Sequence, residues 1–217
     1  MSFKEKKYKI IKNAISYELA QFCYKYFTLK AKVFKTMLEK RTVSPYIDFM
    51  GTFNDPQVPN SYAHYGDIVM ETLLTDMHKK MQDETNLNLI PTYSYARIYY
   101  NGNVLKRHKD RPSCEISTTM NLGGDPWPIY LEPNKNVGIP GENGCTFEST
   151  NPGIKVDLNP GDMLVYSGCT LEHWREKFEG DNCVQVFLHY NNIETQGEVN
   201  KYDTRPHLGL PSSFKNV

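Results

Sequence analysis

The apolar residues of this chain change their period once, close to Asn88, and that change limits the possible folds more than any other feature. Before it, Leu19, Phe22, Cys23, Tyr26 and Phe27 recur at helical spacing behind Ser16, a residue suited to an N-cap, and Phe34, Met37 and Leu38 extend that helix or begin another. Met70, Leu73, Leu74, Met77 and Met81 predict a second helix that starts near Asp67. After it come short β-prone runs punctuated by Gly, Pro, Asn and Asp: IPTYSYARIYYNG, SCEISTTMNLG, PWPIYLEP, GIKVDLNPGD, DMLVYSG and NCVQVFLHYNN. Helices first and strands afterwards predict an α+β, mainly β fold: a double antiparallel sheet or jelly roll, buttressed by N-terminal helices. The opening KYKIIKNAIS alternates as an edge strand does. Arg41 to Tyr65, with three prolines and no sustained period, reads as an irregular and functional loop. Pro133 to Pro160 reads as a long loop or irregular hairpin near the barrel mouth.

A chain of 217 residues suits one domain, residues 1–217. Residues 1–88 supply the first strand, the helices and a lid loop, 89–195 the β core, and 196–217 a C-terminal tail. Lys+Arg at 25 against Asp+Glu at 25 leaves no basic footprint, which argues against nucleic acid or an anionic membrane as partner. The five cysteines, 23, 114, 145, 169 and 183, are scattered without a CxxC pair, so a reducing, cytoplasmic setting is expected. No run is apolar enough for a signal peptide or membrane span, and a soluble protein is expected.

The chemistry concentrates in YNGNVLKRHKDRPSCEIS, where His108 and Asp110 stand two apart. On a strand such residues share a face and would chelate one ion together. The third ligand is expected from His173, near the end of a strand that Gly161 and Asp162 begin. Two imidazoles and one carboxylate on one face of an octahedron suit non-haem Fe(II) and its oxygen chemistry.

Tyr99, Gly102, Leu105, His108 and Asp110, followed by Gly161, Asp162 and His173, resemble the Fe(II)/2-oxoglutarate-dependent dioxygenases, in particular the prolyl 4-hydroxylase-like branch, over about residues 93 to 190. The resemblance implies a cupin-like double-stranded β-helix with iron on the triad and 2-oxoglutarate chelating it. It implies use of O2, release of succinate and carbon dioxide, and possible dependence on ascorbate. The retained Asp110 favours hydroxylation, or another oxidation, over halogenation, because the related halogenases carry a small residue there. A peptide or small-molecule substrate, such as an amino acid, is implied, with Tyr46, Phe49, Phe53 and Tyr62 of the lid loop as aromatic contacts.

The chain departs from the family in the cosubstrate pocket. Asn182 aligns where a Lys or Arg usually meets the distal carboxylate of 2-oxoglutarate. Arg175, two residues past His173, is the replacement expected here, with Arg97 second; Tyr99, Thr118 and Ile129 complete the pocket. The plainer reading of Arg175 is a salt bridge to Glu172 or Glu176. The cluster Lys106, Arg107, Lys109 and Arg111 reads as a solvated rim, and His189 as a polar pocket residue without a metal role. The missing basic residue on the last strand keeps open a non-catalytic, cupin-like metal-binding barrel, and zinc on the same three ligands would suit a hydrolase.

Overall fold

The computed structural model describes residues 2–138 and 149–216. In chain order the elements are α1 (Phe3–Lys6), β1 (Tyr8–Ile11), α2 (Tyr17–Glu39), β2 (Tyr62–Tyr65), α3 (Ile68–Thr85), β3 (Leu89–Tyr100), β4 (Leu105–His108), β5 (Ile116–Gly124), β6 (Ile129–Leu131), β7 (Ile154–Val156), β8 (Met163–Ser167), β9 (His173–Arg175), β10 (Asn182–Asn192) and α4 (Ile193–Gln196). Six strands form one antiparallel sheet in the order β1-β8-β5-β10-β3-β2, and β4-β9-β6-β7 form the second. This is the double sheet with N-terminal helices that the change of period predicts.

Alternation along the larger sheet assigns each residue to one of two interiors. Val184, Val186, Leu188 and Tyr190 of β10, Ala96 and Ile98 of β3, and Ile116, Met120 and Leu122 of β5 pack with Phe27, Phe34, Leu74 and Met81 from the helices. Phe27 and Phe34 are almost wholly buried, each contributing about 2 to 3 kcal/mol. The opposite parity, Cys183, Gln185, Phe187 and His189 on β10 and Tyr95, Arg97 and Tyr99 on β3, carries the polar side chains of the barrel interior. Tyr99, Leu105, Trp127, Phe178, Cys183 and Phe187 form one apolar cluster there.

Ser16 caps α2 by accepting from Leu19 N at 3.2 Å, and the helix runs unbroken to Glu39, taking in Phe34, Met37 and Leu38. Asp67 caps α3 through Val69 N and Met70 N, and also accepts from Tyr26 Oη at 2.7 Å and Lys30 Nζ at 2.6 Å, which joins the two helices. The Gly161–Asp162 pair precedes β8 as a corner. Gly161 has φ +89°, and a Cβ there would meet Ile15 O. Asp162 accepts from Asn13 N, Asn159 N and Lys12 Nζ, which ties the first strand to the barrel.

One expectation needs correction. Residues 62–65, assigned to the loop, are strand β2, paired with β3. Of the long loop or irregular hairpin expected over 133–160, the hairpin forms, with β7 paired antiparallel to β6, while 139–148, with Cys145, lie outside the described residues. The tail is packed against the body: Asp203 and Arg205 are buried, and Arg205 pairs with Glu71 at 2.7 Å. Among the described residues, no helix is long and apolar enough to cross a membrane.

Candidate metal centre and its pocket

His108 and His173 are direct partners across the β4–β9 pair, with ring centroids 4.3 Å apart. Asp110 reaches them from beyond the end of β4, rather than from the same strand as the spacing suggests. Its backbone N donates to Gly168 O at 2.9 Å, which turns the chain back towards the histidines. Likewise His173 opens its own short strand β9 and does not end the strand that follows Gly161 and Asp162. Asp110 Oδ1 stands 3.6 Å from His108 Nε2 and 3.5 Å from His173 Nε2. The three candidate ligand atoms lie within 4.8 Å of one another.

Both imidazoles are oriented by backbone carbonyls. A carbonyl only accepts, so His108 Nδ1–H donates to Lys106 O at 2.7 Å and His173 Nδ1–H to Leu171 O at 3.0 Å, which in the neutral rings leaves both Nε2 atoms with lone pairs on the side of Asp110. Burial favours the neutral form of Asp110, but His173 and His108 beside it hold its carboxyl well below the ordinary range. Burial likewise works against a charge on His108, and the Asp110 carboxylate more than offsets it, so its pKa is raised. The carboxylate thus draws positive charge to the point where a divalent cation would sit.

A cavity of about 330 Å³ opens beside the triad, with Tyr95, Arg97, Ile129, Tyr166, Phe187 and His189 in its wall. Two loop residues enter it that the sequence reading did not single out, Asp55 and Gln57. Asp55 forms an ion pair with Arg97 and accepts from Tyr95 Oη at 2.5 Å. Gln57 Oε1 accepts from Arg97 Nη2 at 3.0 Å while its Nε2 lies 3.4 Å from His108 Nε2. The loop aromatics have other places: Tyr62 and Phe53 pack with Phe34 beneath the helices, and Tyr46 and Phe49 are exposed. An Asx turn by Asp55 onto Gln57 N at 2.8 Å was the available local signal for the residues that do enter.

Of the expected pocket residues, Ile129 and Arg97 line the cavity, whereas Tyr99 and Arg175 lie outside its lining. Tyr99 Oη accepts from Arg97 Nη1 at 3.2 Å. Thr118 shares the parity of Ile116 and Met120 and faces the helices, with its hydroxyl accepting from Leu188 N. Arg175 is fully buried; Nη1 donates to Trp127 O at 2.5 Å and Nη2 to Thr119 Oγ1 at 3.1 Å, while Nε has no partner. The salt bridges weighed for it do not form: Glu172 takes Arg107, and Glu176 accepts from Trp174 Nε1. Among the described residues no carboxylate pairs with Arg175, and burial pushes its pKa down. Arg97, by contrast, already has Asp55.

The basic cluster is largely engaged structurally. Arg107 stacks 3.4 Å over Trp174, and Arg111 makes a two-pronged contact with Asp203 while lying over Tyr93. Beneath Asp110 lies a second grouping that shares its carboxylate, Asp110, Cys114 and His189. The Ser117 hydroxyl sits within it, 2.8 Å from Asp110 Oδ2 and 2.9 Å from His189 Nδ1, and Cys114 Sγ lies 2.9 Å from Tyr93 Oη. Hydrogen bonds therefore account for that grouping without an ion.

No family model matches the chain, and no curated protein matches it in sequence. Its fold does match solved structures. HygX from Streptomyces hygroscopicus, with nickel and 2-oxoglutarate bound, aligns with a TM-score of 0.57 at 16% identity, covering 88% of this chain and 84% of that one. The non-haem alpha-ketoglutarate-dependent epimerase SnoN from nogalamycin biosynthesis gives 0.61 at 10% identity, covering 88% and 80%. A prolyl-4-hydroxylase from Pseudomonas putida gives 0.52 at 12% identity, covering 88% and 95%. The chain thus has the double-stranded β-helix fold found in those oxygenase structures. The likeness extends to an epimerase as well as a hydroxylase and does not single out the prolyl-hydroxylase branch.

Proposed function

We propose that this protein is an Fe(II)- and 2-oxoglutarate-dependent oxygenase, acting as a hydroxylase on an amino-acid or peptide substrate. The observation that carries this reading is a pairing of two sites in one barrel: three ligand atoms gathered around one point, and on the same strand as His173 a buried guanidinium that meets no carboxylate among the described residues. An uncompensated buried cation is costly, and a dicarboxylate would supply the missing charge. In this reading His108, Asp110 and His173 hold the metal and Arg175 takes the distal carboxylate of the cosubstrate. Arg97, neutralised by Asp55, lines the cavity beside the triad. Bound there, Fe(II) and 2-oxoglutarate supply the oxidising power by coupling decarboxylation to the use of dioxygen. The protein's own contribution is to hold two Nε2 lone pairs and one carboxylate oxygen on the metal, leaving positions open. Leu105, Ile129, Tyr166 and Phe187 supply the apolar part of the cavity wall.

The test is to load the protein with Fe(II) without air, add 2-oxoglutarate, admit air and measure succinate. Slow succinate formation is expected even without substrate, and its loss in His108→Ala, Asp110→Ala and His173→Ala. Metal binding without succinate under any condition would leave a binding barrel and remove the oxygenase reading.

A further inference from the structure

One side of Asp110 faces the histidines, and the other is gripped by groups that a metal-binding role does not by itself require. Ser117, on β5, brings its hydroxyl to 2.8 Å from Asp110 Oδ2, 2.9 Å from Cys114 O and 2.9 Å from His189 Nδ1. A hydroxyl has one proton to give, and the carboxylate and the carbonyl both only accept. At these distances the third contact is satisfied only if His189 Nδ1–H is the donor. The direction of the chain of bonds is therefore fixed: His189 Nδ1–H donates to Ser117 Oγ, whose O–H is left for Asp110 Oδ2 or Cys114 O.

Everything around this relay holds it in register. Ser117 is fully buried and is paired directly with His189 across the β5–β10 ladder. The His189 ring packs 4.5 Å from the ring of Tyr93, which also meets Tyr65, Cys114 and Arg111. Gly168 completes the seat from the opposite side. Its carbonyl accepts from Asp110 N, its N–H donates to Glu115 O, and a Cβ on it would collide with the Asp110 carboxylate, the Cys114 carbonyl and the Ser117 hydroxyl together. The close approach needs glycine for space alone, since its backbone angle is an ordinary one.

We propose that Ser117, braced by His189, is a positioning residue that fixes which carboxylate oxygen of Asp110 faces the metal. With Oδ2 engaged, Oδ1 alone points at the two Nε2 atoms, so Asp110 is a one-oxygen ligand and the neighbouring coordination positions stay free. Without the hydroxyl the carboxylate turns about its last torsion, which weakens its grip or lets both oxygens bind. This inference rests on the proposed metal centre and assigns residues that lie behind its ligands.

The test uses Co(II) as the probe, titrated without air into the full chain and followed by calorimetry and by the visible d–d bands of the bound ion. Asp110→Ala serves as control and is expected to abolish measurable binding. Ser117→Ala is expected to weaken Co(II) binding by about 10- to 100-fold, the range typical of lost partners behind a metal ligand, and to alter the d–d bands. His189→Phe should move both in the same direction by less. Wild-type affinity and bands in Ser117→Ala, with binding lost in Asp110→Ala, would overturn the positioning role while leaving the metal centre standing. Equal binding by wild type and Asp110→Ala would overturn the metal centre itself and the positioning role with it. A measurement on unmutated protein does not depend on variant folding: nitrogen-15 NMR of the Zn(II)-loaded chain should find His189 neutral with its proton on Nδ1. A proton on Nε2 alone would reverse the relay and refute the proposal.

Discussion

Replacing Arg175 with methionine separates two free energies that the guanidinium ties together. In the unliganded protein the substitution removes a buried charge that no carboxylate among the described residues meets, a change that stabilises by roughly 1 to 4 kcal/mol when apolar packing replaces buried ionic groups. Against this, Trp127 O loses its donor and Thr119 a partner, at about 1 to 3 kcal/mol for a buried group left unpaired. The two largely offset each other, so the unliganded variant should unfold within about 3 kcal/mol of wild type. Cosubstrate binding has no such compensation. Losing one partner of a buried charge pair costs about 3 kcal/mol, roughly 150-fold in affinity. At a 2-oxoglutarate concentration about 100 times its wild-type dissociation constant, the ligand stabilises wild type by about 2.7 kcal/mol and the variant by about 0.3 kcal/mol. For a chain of this size those values correspond to shifts in Tm of about 5 to 11 °C and about 1 °C. Thermal melts with anaerobic Fe(II), with and without 2-oxoglutarate, read the difference directly. A full wild-type shift in Arg175→Met would refute the assignment, and its loss in Arg97→Met instead would move the anion seat to Arg97.

Other outcomes follow from the same geometry. Gly168→Ala forces a methyl group against Asp110 and Ser117, and overpacking of this kind should destabilise the fold by about 1 to 3 kcal/mol in urea unfolding. Asp67→Ala removes the cap of α3 and leaves Lys30 unpaired in a half-buried place; a loss of about 3 to 5 kcal/mol is expected, and a smaller one for Asp67→Asn, whose amide oxygen still caps the helix. Burial pushes the His189 imidazole down to about 4 from an ordinary 6.5. Below about 6.5 the unfolded chain therefore takes up a proton that the folded chain refuses, and stability falls as pH drops from there towards 4, by up to about 3 kcal/mol. Chemical unfolding across that window should show the decline, and His189→Gln should flatten it; an unchanged slope in the variant would assign the acid lability elsewhere.

The sequence by itself determined the layers. Helical spacing up to Met81 and alternation after Asn88 are local properties of the chain, and the double sheet with its helical buttress follows from burying those faces. The His108–Asp110 pair was legible as a ligand pair, Ser16 as a cap and Asp67 as a helix start, because each depends on residues only a few positions away, while His173 was legible through the family resemblance. Tertiary structure alone decided that Asp110 is turned inward by the Gly168 carbonyl, since the pair does not share a strand. It also set Thr118 on the helix side, brought Asp55 and Gln57 into the cavity, and put Ser117 against His189. Those outcomes depend on strand register, on the bend after β4 and on which carboxylates remain to meet which guanidinium. Arg97 and Arg175 are alike in sequence and differ in that Asp55 reaches one of them. Side-chain periodicity specifies a face, whereas a contact needs two faces brought to one depth in the barrel, and that depth is set by hydrogen-bonded neighbours far away along the chain.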